Sequence, residues 1–190
     1  MISKIKNNPK LEDYLRDRIE DEGIEVSVDE KMQANEYVGI KVDDYYNGLH
    51  ESVVPKATDF VVVVDNSCDS YSMYIIEMKN VNSPKHLVIK DIHEKFFTTI
   101  YDFLSERFKD IFLDDRYKYK VIKLYLISDA YGVGGKYQTH AEYIHVLEKV
   151  NKRDSLKVDR SLGSKVYKFR NKYLQIEYDI PPNPVIKKMV

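Results

Sequence analysis

The chain has 190 residues, of which 43 % are hydrophobic and 32 % are charged, a balance that excludes a largely disordered chain. This length predicts one domain over residues 1–190. The longest apolar run, residues 60–64, is far shorter than the roughly 20 residues that span a bilayer. Residues 1–10 have no apolar signal-peptide core, so we expect no membrane partner. A single cysteine excludes an intrachain disulfide and a thiolate zinc site, and predicts a cytoplasmic protein.

The charges are distributed unevenly along the chain. Residues 1–115 carry 14 Lys+Arg against 24 Asp+Glu, whereas residues 116–190 carry 16 against 7. Such polarity indicates a phosphate-binding face in the C-terminal half, with a merely solvated surface as an equal alternative. The candidate nucleic-acid contacts are basic residues of this half: Lys152, Arg153, Lys157, Arg160, Lys165, Lys168, Arg170 and Lys172.

The N-terminal third predicts two helices followed by a hairpin. Residues 11–22 have apolar positions at helical spacing, with Gly23 as a stop. Residues 30–48 favour a second helix, although their pattern is ambiguous. Residues 59–64 are apolar and β-branched, residues 65–70 have the composition of a turn, and residues 71–79 predict a second strand. The two strands are expected to pair as an antiparallel hairpin.

A long amphipathic helix is predicted next, over residues 91–109, because apolar side chains recur there every four residues. Residues 120–128 predict a third strand, residues 139–149 a helix, and residues 166–180 one or two strands broken around 170–172. This order predicts an α/β (α+β) fold, with a mixed central β-sheet flanked by α-helices.

Three charged residues lie at the open end of the predicted hairpin. Asp59 begins its first strand, and Glu77 and Lys79 end its second. Because strand side chains alternate between faces, Glu77 and Lys79 share one face. Two carboxylates held close together repel each other and favour a cation between them, and oxygen ligands suit Mg²⁺, with Mn²⁺ as a substitute. A lysine beside such an ion could orient or deprotonate a water, or stabilise a phosphate during in-line attack. Asp59, Glu77 and Lys79 are therefore the candidate catalytic residues.

This arrangement resembles the PD-(D/E)xK nuclease superfamily, which includes many type II restriction endonucleases. The resemblance covers roughly residues 36–128, the expected nuclease core, and departs from the family pattern in having Thr58 rather than proline before Asp59. It implies a restriction-endonuclease-like core in which Asp59, Glu77 and the Met78 backbone carbonyl hold Mg²⁺. It also implies a homodimer acting on double-stranded DNA, contacted by the basic part at 116–190.

Many members of the superfamily have one more acidic ligand on an upstream helix. Glu36 is the preferred candidate here and Glu51 the alternative, while His50 could serve as a ligand instead. For the function, the residues favour a Mg²⁺-dependent endodeoxyribonuclease of the type II restriction class. The alternatives are another nuclease of the same core, such as a junction resolvase, a repair nuclease or an RNA-cutting effector, or a non-catalytic nucleic-acid-binding module.

Overall fold

The computed structural model describes residues 1–132, 139–150 and 160–189. Its strands are β1 (Leu15–Arg16), β2 (Ile19–Asp21), β3 (Ile24–Val26), β4 (Tyr37–Lys41), β5 (Phe60–Asp65), β6 (Ser70–Met78), β7 (Lys118–Ile127), β8 (Tyr167–Phe169), β9 (Lys172–Leu174) and β10 (Ile176–Asp179). Its helices are α1 (Ile2–Lys6), α2 (Val42–Gly48), α3 (Ile89–Thr98), α4 (Lys109–Phe112) and α5 (His140–Val150). A π-helical segment, Thr99–Arg107, directly follows α3.

Six strands form one mixed sheet in the order β1-β4-β5-β6-β7-β10. The first four pair antiparallel, whereas β7 is parallel to both β6 and β10. Parallel neighbours need a crossover, and the chain makes it from β6 to β7 through α3 and α4. The predicted class, a mixed central sheet flanked by helices, is confirmed. No helix among the described residues is long and apolar enough to cross a membrane.

The predicted hairpin is confirmed as β5 and β6, with Phe60 opposite Ile76 and Val61 opposite Ile75. The sheet separates two apolar cores. On one face, Val61 and Ile75 pack in a core that also holds buried residues of α1, α2 and α3. On the other face, Phe60 and Ile76 pack against the short hairpin formed by β2 and β3. Alternation along the strands thus directs Asp59 and Glu77 toward the α3 face.

The long helix predicted over residues 91–109 has the buried stripe that its apolar spacing predicts, but it is not α-helical throughout. The stripe consists of five buried residues: Ile92, Phe96, Ile100, Leu104 and Phe108. The helix begins at Ile89, widens to π-helical geometry from Thr99 to Arg107, and restarts at Lys109. Within the π-helical segment, the Ser105 hydroxyl donates to the carbonyl of Ile100 at 2.7 Å, so the side chain bonds to a residue five positions earlier.

The two predicted N-terminal helices are wrong. Residues 11–22 form a 3₁₀ turn and the strands β1 and β2, because Glu22 and Gly23 take positive φ values of 49° and 76° and turn the chain into β3. A two-residue turn of this kind matches the twist of a β-hairpin. Residues 30–48 contain β4 and only the seven-residue helix α2. Gly39 lets β1 approach β4 closely, since a Cβ there would lie 2.9 Å from the Arg16 carbonyl oxygen.

The C-terminal predictions agree with the structure where residues are described. The helix predicted over residues 139–149 is α5. The strands predicted over residues 166–180 are β8, β9 and β10, and the break predicted at 170–172 is the β8–β9 turn, where Arg170 takes a φ of 50°. β10 extends the central sheet by pairing with β7, with Asp179 opposite Ile127.

Candidate active site

Asp59 and Glu77 face each other at the end of the β5–β6 hairpin. Phe60 pairs with Ile76, so the next position along the ladder places Asp59 opposite Glu77. The Met78 amide donates a 2.6 Å hydrogen bond to Asp59 Oδ2, which fixes the Asp59 carboxylate across the two strands. Only 2 % of Asp59 and none of Glu77 is exposed. The structure therefore brings together the two carboxylates that the sequence singles out.

Both carboxyl groups lie in an environment that disfavours their charge. Burial raises the pKa of Asp59, and the neighbouring Glu77 carboxylate raises it further. Burial also raises the pKa of Glu77, against the opposing effect of the nearby Lys95 and Lys79. Glu77 Oε2 is buried and has no hydrogen-bond partner in the structure. An unpartnered buried carboxylate oxygen is costly, so this position favours binding of a cation or a hydrogen-bond donor.

Two lysines converge on Glu77. Lys79 Nζ lies 3.2 Å from Glu77 Oε1, on the face that strand alternation predicts. Lys95, from α3, is closer, at 2.6 Å from the same oxygen and 3.6 Å from Asp59 Oδ1. Lys95 was not predicted as a site residue. In the sequence, Lys95 lies next to the buried stripe of the helix, one residue before Phe96, and this position alone does not identify it as a site residue.

Two further acidic residues lie close to Asp59. Carboxylate oxygens of Asp21, Asp43 and Asp59 all lie within 4.8 Å of one another. Lys41 Nζ lies among them, 2.8 Å from Asp43 and 3.1 Å from Asp21. Lys41 is 7 % exposed. The carboxylates of Asp43 and Asp59 hold the pKa of Lys41 above its ordinary value, although burial by itself acts to lower it.

The upstream acid that lies close to Asp59 is Asp43, in the first turn of α2, and not the predicted Glu36. β4 runs antiparallel to β5, so the chain passes from Glu36 at the far end to Lys41 beside Phe60. The Glu36 carbonyl accepts from the Asp65 amide, and its carboxylate pairs with Lys188 at 2.5 Å. At about 3.3 Å per strand residue, Glu36 lies roughly 17 Å from the Asp59 end. Glu36 is therefore not positioned to share an ion with Asp59.

The two alternatives to Glu36 lie in the loop after α2. Glu51 pairs with Arg107 at 3.3 Å. His50 is exposed and has a φ of 52°. Neither belongs to the group of carboxylates within 4.8 Å of one another around Asp59. Asp43 was missed because its segment was assigned to the middle of a long helix, where the end of a strand and the start of a short helix were not expected.

The β2–β3 hairpin supplies two further acidic side chains that were not predicted as site residues. Asp21 reaches Lys41, as described above, and Glu22 reaches Lys79, with Glu22 Oε1 2.8 Å from Lys79 Nζ. Glu22 Oε2 accepts from the Asn80 amide at 3.0 Å, and the Glu22 carbonyl accepts from the Asn80 side chain at 2.9 Å. The signal was an alternating apolar pattern on both sides of Glu22-Gly23, which predicts a hairpin.

The predicted basic contacts divide into three groups. Lys152, Arg153 and Lys157 lie outside the described residues. Arg160, Lys165 and Lys168 are exposed.

Arg170 and Lys172 form the third group and lie away from Glu77. Arg170 donates to the carbonyls of Tyr117 and Asp114, so its guanidinium is engaged within the chain. Lys172 Nζ approaches the Lys120 carbonyl at 3.4 Å, near the start of β7, whereas Glu77 is opposite Leu126 near the end of that strand. The structure therefore does not bring Arg170 and Lys172 to the carboxylate pair.

No protein-family model, curated protein or solved structure matches this chain. A function for the site must therefore be argued from its geometry and chemistry.

Proposed function

We propose that this chain is a Mg²⁺-dependent endodeoxyribonuclease of the PD-(D/E)xK type with a restriction-endonuclease-like core, and specifically a type II restriction endonuclease. The observation that carries the proposal is the buried pair of Asp59 and Glu77, held opposite each other at the end of a hairpin with Lys79 beside them. Strand pairing sets the position of the two carboxylates. Residues with perturbed pKa values that converge at one edge of a sheet are candidates for catalysis.

The residues present fit a divalent cation. Glu77 Oε2 is an unpartnered carboxylate oxygen, and Asp59 is adjacent to it. With every carboxylate ionised, the inner cluster has five negative groups against three lysines, which leaves a charge of −2 for one divalent ion to balance. Its members are Asp21, Glu22, Asp43, Asp59, Glu77, Lys41, Lys79 and Lys95. Asp59, Glu77 and the Met78 carbonyl would hold the ion.

The bound ion would supply an activated water and neutralise charge on the phosphodiester. Burial acts to lower the pKa of Lys79, but the carboxylates of Glu77 and Glu22 outweigh this effect and raise it above its ordinary value. In the metal-free protein Lys79 is therefore an ammonium group near neutral pH. We assign it the role of orienting the attacking water and stabilising negative charge on the phosphate.

The proposal extends to double-stranded DNA as the substrate and a homodimer as the working form. The basic balance of residues 116–190 and the exposure of Arg160, Lys165 and Lys168 support contact with phosphates. A homodimer with twofold symmetry would match a palindromic site and cut both strands. This part of the proposal derives from the family resemblance.

A second candidate is a non-catalytic nucleic-acid-binding module. The observation that favours it is the neutralisation of the carboxylates by lysines within the chain: Lys95 contacts Glu77 and Asp59, and Lys41 contacts Asp43 and Asp21. A site neutralised in this way could be purely structural. Such a protein would bind nucleic acid equally well with and without a divalent ion, and would cleave nothing.

The decisive experiment incubates the purified protein with plasmid DNA in Mg²⁺ or in EDTA. Glu77→Ala is the test variant, and Glu36→Ala is the matched control because Glu36 lies at the far end of the same sheet. Discrete fragments that require Mg²⁺, vanish in Glu77→Ala and persist in Glu36→Ala would support the restriction-enzyme proposal. Lys79→Ala is expected to abolish cleavage while leaving DNA binding largely intact.

Other outcomes point elsewhere. Cleavage of branched DNA or RNA, but not of plasmid, would favour another nuclease of the same core. Full activity of Lys79→Ala would reject the role given to Lys79. No cleavage of any of these substrates in Mg²⁺ or Mn²⁺ would reject the nuclease proposal and leave the binding module.

A further inference from the structure

The β2–β3 turn contacts Lys79, the proposed catalytic lysine. Glu22, the first residue of that two-residue turn, contacts Lys79 and Asn80 through both oxygens of its carboxylate, at 2.8 Å and 3.0 Å. Lys79 and Asn80 immediately follow β6, within two or three residues of Glu77. An acidic side chain from a different hairpin thus occupies the surface beside the candidate active site.

The two groups that bind Glu22 form an anion-binding arrangement, which we call the Lys79–Asn80 cradle. It consists of the Lys79 ammonium and the Asn80 backbone N–H, both donating to one carboxylate. An ammonium group and a backbone amide are also the donors with which proteins bind the oxygens of phosphodiesters. The cradle therefore suits a phosphate group as well as it suits a carboxylate.

The Glu22 carboxylate is partly exposed and is only one of the contacts that hold the β2–β3 turn in place. The Glu22 side chain is 42 % exposed, compared with 25 % for Lys79. The turn has independent attachments, because the Glu22 carbonyl accepts from the Asn80 side chain at 2.9 Å and Asp21 pairs with Lys41 at 3.1 Å. The carboxylate could rotate into solvent while these contacts hold the turn in place.

We propose that the Lys79–Asn80 cradle is a binding site for a phosphate group of the DNA substrate, and that Glu22 occupies it as an internal competitor when substrate is absent. This inference rests on the proposed function for the identity of the substrate. Binding of DNA then exchanges one anion for another at the cradle: the Glu22 carboxylate moves into solvent, and a phosphate oxygen accepts from Lys79 and Asn80. The alternative role for Glu22 is to hold Lys79 in position for catalysis.

The two roles predict opposite effects on DNA affinity. We would measure binding of a short duplex oligonucleotide in EDTA, where no cleavage occurs, by fluorescence anisotropy. Glu22→Gln is the test variant, and Glu20→Gln is the matched control, since it removes the same charge from the same hairpin at a residue that pairs with Arg18 instead. We expect Glu22→Gln to bind about two- to fivefold more tightly than Glu20→Gln, the effect of releasing one partly exposed ion pair.

Two further variants test whether a gain in affinity comes from the cradle itself. Glu22→Ala should reproduce the gain, and adding Lys79→Gln to Glu22→Gln should remove it, because the cradle would then lack its ammonium. Equal or weaker binding by Glu22→Gln and Glu22→Ala, relative to Glu20→Gln, would overturn the proposal and leave Glu22 as a positioning residue for Lys79.

The outcomes separate this inference from the proposed function. Metal-dependent cleavage without a gain in affinity would retain the nuclease and reject the competitor. A gain in affinity without any cleavage by the wild-type protein would retain the cradle as a phosphate site and reject the nuclease.

Discussion

Lys95 and Glu77 form the shortest lysine–carboxylate contact of the candidate site, at 2.6 Å between Nζ and Oε1. The contact joins the crossover helix α3 to the end of β6, the strand that precedes it in the chain. Because a divalent ion and the Lys95 ammonium would both be held by the carboxylates of Glu77 and Asp59, the two cations are expected to compete.

This competition predicts the behaviour of Lys95→Met. Without metal, the variant should lose about 2–3 kcal/mol of unfolding free energy, because it removes the nearer of the two lysines that contact the buried Glu77 carboxylate. Mg²⁺ should restore most of that loss and bind the variant more tightly than it binds the wild type. Thermal melts in EDTA and across a Mg²⁺ titration would test both effects. Lys90→Met, an exposed position on the same helix, is the control. A loss that Mg²⁺ leaves unchanged would contradict the competition.

The raised pKa of Asp59 predicts a pH dependence of stability. Its folded-state pKa lies above the ordinary carboxyl value of about 4, first because of burial and then because of Glu77. Folding therefore favours protonated Asp59. The resulting contribution to stability is complete below the ordinary pKa and is lost as the pH rises through the folded-state pKa.

Urea denaturation in EDTA at several pH values between about 5 and 9 would reveal this contribution. The unfolding free energy of the wild type should fall with rising pH more steeply than that of Asp59→Asn, whose side chain stays neutral. Asp17→Asn, at an exposed position, should follow the wild-type slope. Parallel curves for wild type and Asp59→Asn would show that Asp59 ionises without a penalty in the folded protein.

The parts of the fold that were predicted correctly depend on local patterns. The run of valines in β5 and the alternation in β6 define a hairpin whose faces follow from strand geometry. Its register then places Asp59 opposite Glu77. The four-residue spacing of buried side chains from Ile92 to Phe108 likewise defines one helix face. In each case, neighbouring residues carry all the information needed.

The rest of the candidate site depends on contacts between distant segments. Asp21 arrives from a hairpin on the opposite face of the sheet, and Lys95 arrives from the crossover helix. Local sequence patterns do not predict which carboxylate contacts which lysine, because these contacts depend on how the elements pack together. Gly23 illustrates the local ambiguity: a glycine with positive φ ends helices and also completes two-residue hairpin turns, and the second role applies here.

Replacing Lys41 would test how strongly the stability of the protein depends on the ammonium group between Asp21 and Asp43. Lys41→Met would remove the ammonium group that lies between the carboxylates of Asp21 and Asp43. It would also remove the contact of Lys41 Nζ with the Phe60 ring, at 5.1 Å from the ring centroid. We expect a loss of about 2–3 kcal/mol of unfolding free energy in EDTA. Adding Asp43→Asn should recover part of it, because one of the repelling charges is removed.

Urea denaturation of the two single variants and the double variant forms a cycle that isolates the Lys41–Asp43 coupling. Lys31→Met is the control, since Lys31 is exposed. If Lys41→Met is as stable as Lys31→Met, the cluster does not need its internal cation. Additive effects in the cycle would show that Asp43 and Lys41 stabilise the fold independently.

Arg170 is predicted to act in the fold rather than as a DNA contact. Its guanidinium donates to the carbonyls of Tyr117, Leu113 and Asp114. It also lies 5.4 Å from the Tyr119 ring. Arg170→Ala should therefore cost about 2 kcal/mol of unfolding free energy, because it leaves partly buried acceptors without their donor. The exposed Lys168, in the adjacent strand β8, is the matched control, since its side chain can be removed with little effect on stability.

Stability and DNA affinity should respond differently in these two variants. Lys168→Ala is expected to unfold like the wild type and to weaken duplex binding modestly, with a shallower dependence on salt, if it meets a phosphate. Arg170→Ala should lower the melting temperature and, at a temperature where it remains folded, bind duplex DNA like the wild type. If Arg170→Ala instead keeps its stability but loses DNA affinity, the DNA surface would lie at the β8–β9 turn. That turn is near the start of β7, whereas Glu77 is near the end of that strand.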